Sequence, residues 1–274
     1  MGSLITHAGA TRGYARLNGL NMYYEIEGTG DPVVYIPPAL GQTGMTPFGS
    51  LTRGHSVISV DLQGHGRTAD IPDRPLSLEQ YAEDVVGLLT QLGISKADFL
   101  GNSYGGAVAV LIAARYPQFV RRVAAYGATF GPPERAHNLS MLRFDEPPTA
   151  DAATFAFQRE RYKTVAPNPD YWPTFWEKVT RIEWRGFSPD QLGSIEAPVL
   201  IMVGDRDFVR VTHAVEAFEL IPNAELAVIP DAGHFALFSE PERVIPMVKH
   251  FFEKSESRGP VATAGMRYHP GETR

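Results

Sequence analysis

Hydrophobic positions along the chain fall into short, mostly unbroken runs separated by longer segments with a three-to-four spacing. The runs are Val33-Val34-Tyr35-Ile36, Val57-Ile58-Ser59-Val60, Asp98-Phe99-Leu100, Val123-Ala124-Ala125-Tyr126, Val199 to Val203 and Leu226-Ala227-Val228-Ile229. Runs that are apolar without alternating suit strands buried on both faces. Two shorter runs, Tyr14 to Leu17 and Met22 to Ile26, flank Asn18-Gly19, a hairpin signal that predicts an antiparallel entry to the sheet. Between the runs, Leu78, Tyr81, Val85, Leu88 and Leu92 predict a helix over Ser77–Leu92, with Ser77 and Gln80 as a capping box and Gly93 as the stop. A second helix is expected over Tyr104–Tyr116, rich in small residues and ended by Pro117, and a third over Pro241–Phe252. Strands alternating with helices mean a mostly parallel α/β sheet with helices on both faces.

Residues 130–187 break this alternation. They hold all three tryptophans (Trp172, Trp176 and Trp184) and eleven of the chain's twenty-nine aromatic residues. The expected organisation is therefore a core of residues 1–129 and 188–254, a helical cap or lid insertion at 130–187, and a flexible, apolar-poor tail at 255–274. The tryptophans are candidate wall residues of a covered, substrate-binding pocket, with glue between insertion and body as the structural alternative.

Composition narrows the chemistry. A length of 274 residues is enough for one sizeable core, and a net charge of −6 offers no footprint for nucleic acid. No apolar run approaches the roughly 20 residues of a membrane span. The absence of cysteine excludes a disulfide framework, thiolate catalysis and cysteine metal sites, and any nucleophile must be an oxygen or a nitrogen. No metal motif or phosphate loop is present, so neither metal nor cofactor is expected. With no cysteine and no secretory pattern, a cytoplasmic location is the expectation.

The sharpest signal is Gly101-Asn102-Ser103-Tyr104-Gly105, lying between a predicted strand and the small-residue helix. A serine hydroxyl becomes nucleophilic only where a base can take its proton, and a tight strand-to-helix turn holds it out of the backbone. Such a turn needs near-absent side chains two residues to either side, which Gly101 and Gly105 supply. The helix start aims backbone N–H groups at an oxyanion formed there. Later strand ends supply a carboxylate loop, Gly204-Asp205-Arg206-Asp207, and a histidine loop, Asp231-Ala232-Gly233-His234-Phe235.

With these motifs and Asp61-Leu62-Gln63-Gly64-His65-Gly66, the sequence resembles the α/β-hydrolase superfamily from about Gly13 to Phe252. That resemblance implies Ser103 as nucleophile, His234 as general base and then acid, and Asp207 as the orienting carboxylate, with Asp205 its rival. It implies His65 as a packed turn; the remaining histidines are expected to be surface or satisfied polar residues. Relatives usually carry His-Gly after the strand that here runs into Pro37-Pro38-Ala39-Leu40-Gly41. Aligned by position, Ala39 and Tyr104 would supply the oxyanion-hole amides, with Leu40 in place of Ala39 if the register shifts by one. A serine at the elbow, not aspartate, favours an acyl bond. The expected activity is hydrolysis of a small-molecule carboxylic ester or lactone through an acyl-enzyme, with a carbon–carbon (meta-cleavage-type) hydrolase, a cofactor-free perhydrolase and a slow-turnover small-molecule receptor as alternatives.

Overall fold

The computed structural model describes residues 11–45, 48–141 and 149–254. The expected tail at 255–274 lies outside them. The chain opens with β1 (Thr11–Leu17) and β2 (Leu20–Ile36), joined at Asn18-Gly19, whose φ values of 47° and 77° are those the hairpin signal requires. Sequence patterning separates Met22–Ile26 from Val33–Ile36, whereas the backbone stays extended through both. Gly28 and Gly30, at φ of 80° and 120°, sit where the strand slips register between them. The two halves flank β3 (Arg53–Val60): Ile26 and Val34 both pair with Ile58, the first half in descending and the second in ascending register.

From there the sheet is parallel. The second half of β2 pairs with β4 (Ala97–Asn102), then come β5 (Val120–Tyr126), β6 (Val199–Gly204) and β7 (Ala224–Ile229). Successive side chains point to opposite faces, which is why these strands are apolar throughout. Val34, Ile36, Phe99, Val123 and Ile201 enter one core with α1 (Leu78–Gln91) and α2 (Tyr104–Arg115). Val33, Tyr35, Leu100, Tyr126 and Met202 enter a second core with the C-terminal helix Pro241–Phe252. β7 departs from the expectation of two buried faces, because it is the edge of the sheet and Val228 is exposed.

The segment between β5 and β6 carries α3 (Pro133–Ala136), α4 (Ala156–Val165), α5 (Trp172–Thr180) and α6 (Pro189–Gly193). Phe175 stacks on Tyr162, and Trp172 packs beside both rings. Lys178 holds the segment to the body by pairing with buried Asp70 at 2.6 Å, and the Tyr171 hydroxyl donates to the same carboxylate at 2.6 Å. The chain closes with α7 (Val211–Leu220), α8 (Ala236–Ser239) and α9 (Pro241–Phe252). Phe251 and Phe252 of α9 are buried, each contributing roughly 1.5–3 kcal/mol relative to exposure.

Candidate active site

Ser103 sits between β4 and α2 with φ 55° and ψ −122°, a conformation costing about 1–3 kcal/mol for a residue with a Cβ. Its neighbours explain why the strain persists. The Ser103 N–H donates to the Tyr126 carbonyl at 2.8 Å, and the Ser103 carbonyl takes the Ala107 N–H one helical turn on. A Cβ on Gly101 would overlap the Gly105 carbonyl, so the turn closes only with glycine there. A Cβ on Gly105 would meet the carbonyl oxygens of Ile36 and Pro37. The start of α2 thus lies directly against the turn that follows β2.

That turn closes with Gly41 N–H donating to the Pro38 carbonyl at 2.9 Å, with Leu40 at φ 62°. The two prolines bring no N–H of their own. Ala39 lies between Pro38 and Leu40, and Tyr104 is the first helical residue, whose N–H has no carbonyl one turn back to bond. Buried Asp61 braces the loop beyond, accepting from the Thr43 N–H at 2.6 Å and the Arg67 N–H at 2.7 Å. Burial raises its carboxyl pKa to about 6 against those hydrogen bonds.

The acid and histidine loops meet above β6 and β7. Asp205 N–H donates to Ile229 and Arg206 N–H to Ala232, and a side chain on Gly204 would run into the Ala232 carbonyl. His234 Nδ1 lies 2.8 Å from Asp207 Oδ1, with the carboxylate fully buried. A carboxylate only accepts, so Nδ1 carries the proton in this contact, and in a neutral imidazole that arrangement leaves Nε2 as the acceptor. Asp207 Oδ1 also takes the Val209 N–H at 2.9 Å. Asp205 is exposed and faces Arg206.

Three neighbours of this pair escaped the sequence reading. Phe208 packs its ring 4.0 Å, centroid to centroid, from the His234 imidazole. Tyr126 accepts from the Ser103 N–H with its carbonyl and donates its hydroxyl to the Gly233 carbonyl at 2.6 Å, so one residue ties the serine and histidine loops together. Gly127, at φ 55°, lies so close that a Cβ there would stand 3.0 Å from both Asp207 Oδ2 and His234 Nδ1. Phe208 and Gly127 carry a weak sequence signal, each directly following a motif residue or a strand end. Tyr126 carries none, because its role depends on a contact 107 residues away.

The other histidines divide by environment. His65 is buried edge-on between Tyr81 and Phe175, bonds the Gln63 carbonyl at 3.0 Å, and burial lowers its pKa to about 4. His213 is buried and accepts from the Phe130 N–H at 3.0 Å, while half-buried His137 contacts Thr129 Oγ1 at 3.2 Å and Phe208 edge-on.

A cleft of about 390 Å³ opens beside Ala39, walled by Leu40, Met45, Phe157, Phe235 and Phe238. Ala39 also borders, with His65, Tyr104, Val179 and Ile182, an apolar crevice with no room for water. The three tryptophans lie elsewhere, all buried. Trp172 donates from Nε1 to the Ala150 carbonyl at 2.8 Å, Trp184 donates to Thr129 at 2.9 Å, and Trp176 packs on Phe155. They seal the segment between β5 and β6 to itself and to the end of β5, which is the structural role their patterning also allowed.

The model of the alpha/beta hydrolase family matches residues 33–247, spanning the serine turn, the acid loop and the histidine loop. The chain belongs to this family. Among relatives of the hydrolase, a 2-hydroxy-6-oxononadienedioate/2-hydroxy-6-oxononatrienedioate hydrolase from Burkholderia vietnamiensis is 27% identical, covering 86% of this chain and 92% of that protein. A human serine hydrolase, BPHL, is 26% identical over 80% of this chain and 78% of its own length. The solved enol-lactonase of Burkholderia xenovorans superposes with a TM-score of 0.68 at 23% identity, covering 88% of this chain and all of that one, a likeness of fold. Among the described residues of the hydrolase, no helix is long and apolar enough to cross a membrane.

Proposed function

We propose that this hydrolase cleaves a small carboxylic ester or lactone through an acyl-enzyme, with Ser103, His234 and Asp207 as its catalytic residues. The observation that carries the reading is the buried Asp207–His234 hydrogen bond after β6 and β7, tied through Tyr126 of β5 to a serine held at positive φ after β4. In this mechanism Ser103 Oγ attacks the carbonyl carbon while its proton passes to His234 Nε2, and the carbonyl π electrons move onto oxygen. The Ala39 and Tyr104 amides hold that oxyanion. Collapse breaks the C–O bond, and the alkoxide leaves with the proton from His234. Water then gives a proton to His234 and attacks the acyl carbon, releasing the acid and restoring Ser103. Asp207 keeps the imidazole in the Nδ1–H tautomer and stabilises its cation.

In the same reading, residues 130–187 form a cap on a core of 1–129 and 188–254, and Trp172, Trp176 and Trp184 shape the pocket from behind by fixing that cap. A chain without cysteine needs no oxidising compartment, and we place it in the cytoplasm. A second reading, hydrolysis of a carbon–carbon bond beside a carbonyl, is favoured by the relative from Burkholderia vietnamiensis, a 2-hydroxy-6-oxononadienedioate/2-hydroxy-6-oxononatrienedioate hydrolase.

The test is hydrolysis of p-nitrophenyl esters from acetyl to dodecanoyl by wild type and Ser103→Ala, with intact-mass detection of a fluorophosphonate adduct. Turnover that peaks at one chain length and disappears in the variant supports the acyl-enzyme reading. Adduct formation without ester turnover transfers the support to the carbon–carbon reading, and absence of both overturns the assignment of Ser103.

A further inference from the structure

Two polar side chains line the cleft beside Ala39: Ser239, whose hydroxyl donates to the Phe235 carbonyl at 3.2 Å, and Gln158. Helix α4 lays Phe157 and Gln158 along the wall and carries Arg161 one turn further. Arg161 is half-buried, and its guanidinium lies by Gly44, where a Cβ would stand 3.9 Å from Nη2; the next residue, Met45, lines the cleft. Among the described residues no carboxylate pairs with Arg161, and its buried Nε has no hydrogen-bond partner. Gln158 Oε1, on the same helix, is likewise buried and unpartnered. Other part-buried arginines of the chain are matched: Arg74 with Asp84 at 2.7 Å, Arg121 with Asp98 at 2.9 Å, and Arg122 with the carbonyls of Phe252 and Lys254. A buried guanidinium nitrogen left unpaired destabilises the fold unless something outside the chain completes it.

We propose that Arg161 and Gln158 form a carboxylate-binding corner of the substrate cleft, so that the ester or lactone this enzyme cleaves carries a carboxylate on a short apolar arm. The proposal rests on the acyl-hydrolase reading and adds the substrate class to it. A guanidinium offers a planar fork of donors that fits a carboxylate bidentately, and the Gln158 amide supplies two more donors and an acceptor. Leu40, Met45 and Phe238 accommodate the apolar arm. Arg161 acts by binding; it makes and breaks no bond.

The experiment compares matched pairs of charged and neutral esters: mono-p-nitrophenyl glutarate against p-nitrophenyl pentanoate, and 4-acetoxybutanoate against pentyl acetate. In wild type at low ionic strength the charged member of at least one pair has kcat/KM on the order of tenfold higher, and Arg161→Gln abolishes the preference while Arg161→Lys restores part of it. Calorimetric binding of the same esters to Ser103→Ala, with and without Arg161→Gln, reads the corner independently of turnover. A binding preference that needs Arg161 in a protein without esterase activity keeps the corner and removes the acyl-hydrolase reading. Equal affinities for charged and neutral esters, or a preference that survives Arg161→Gln, overturn the proposal.

Discussion

Replacing Gly127 with alanine isolates the geometry on which the proposed chemistry depends. Its φ of 55° costs about 1 kcal/mol for any residue with a Cβ, a penalty paid in the backbone alone. The new methyl adds a second effect: it would stand 3.0 Å from Asp207 Oδ2 and His234 Nδ1 and 3.1 Å from His234 Cε1, inside the 3.5–4.0 Å of comfortable non-bonded contact. The imidazole or the carboxylate must move by several tenths of an ångström, which stretches their 2.8 Å hydrogen bond. A hydrogen bond to a charged group contributes about 1.5–3 kcal/mol, so partial loss in the transition state lowers kcat by roughly 10- to 100-fold. Gly93→Ala is the matched control, at φ 68° with no atom within 4 Å of the added Cβ. Urea titration should show a loss of about 1 kcal/mol in Gly93→Ala and a larger one in Gly127→Ala, which adds the steric contact to the same backbone penalty, while kcat for the best p-nitrophenyl ester falls only in Gly127→Ala. If Gly127→Ala keeps kcat within twofold of wild type while folded, or Gly93→Ala loses as much, the contact does not govern activity and the reasoning fails.

Two further outcomes follow from the same structure. Asp207→Asn keeps the fold and loses most of kcat, on the order of 10⁴-fold by the logic of a histidine held in the wrong tautomer, whereas the exposed Asp205→Asn stays near wild type; the reverse ranking would reassign the acid. Burial lowers the His65 pKa to about 4 from the ordinary 6.5, so its contribution to stability is complete above pH 6.5 and is lost as pH falls through 4. At about 1.4 kcal/mol for each pH unit, wild type should lose about 3 kcal/mol relative to His65→Gln between pH 7 and 4. Parallel denaturation curves with a constant difference across that range would contradict it.

Strand and helix identities were legible in the chain because they depend on neighbours a few residues apart. Ser77–Leu92 and Pro241–Phe252 read as helices, and the apolar runs read as strands, since periodicity and capping are local. The serine turn was legible for the same reason: Gly101 and Gly105 are demanded by a single tight turn, and sequence order alone brought an aspartate and a histidine to later strand ends. Choosing between Asp205 and Asp207 by residue chemistry was beyond it, because two carboxylates two residues apart differ only in which one the histidine loop approaches. The continuity of β2 past Gly28 was equally hidden, since its course is set by pairing with β3 on both sides. Tryptophan count pointed to the insertion but not to the side each ring faces, and packing placed all three in the interior while Phe157 and Phe235, 63% and 53% exposed, flank the cleft. Tyr126, Phe208 and Arg161 acquire their surroundings only when strand ends, loops and insertion converge. Those surroundings belong to tertiary structure because a hydrogen bond such as Tyr126 to Gly233, 107 residues apart, or a ring contact between separate loops such as Phe208 with His234, leaves no period in the chain.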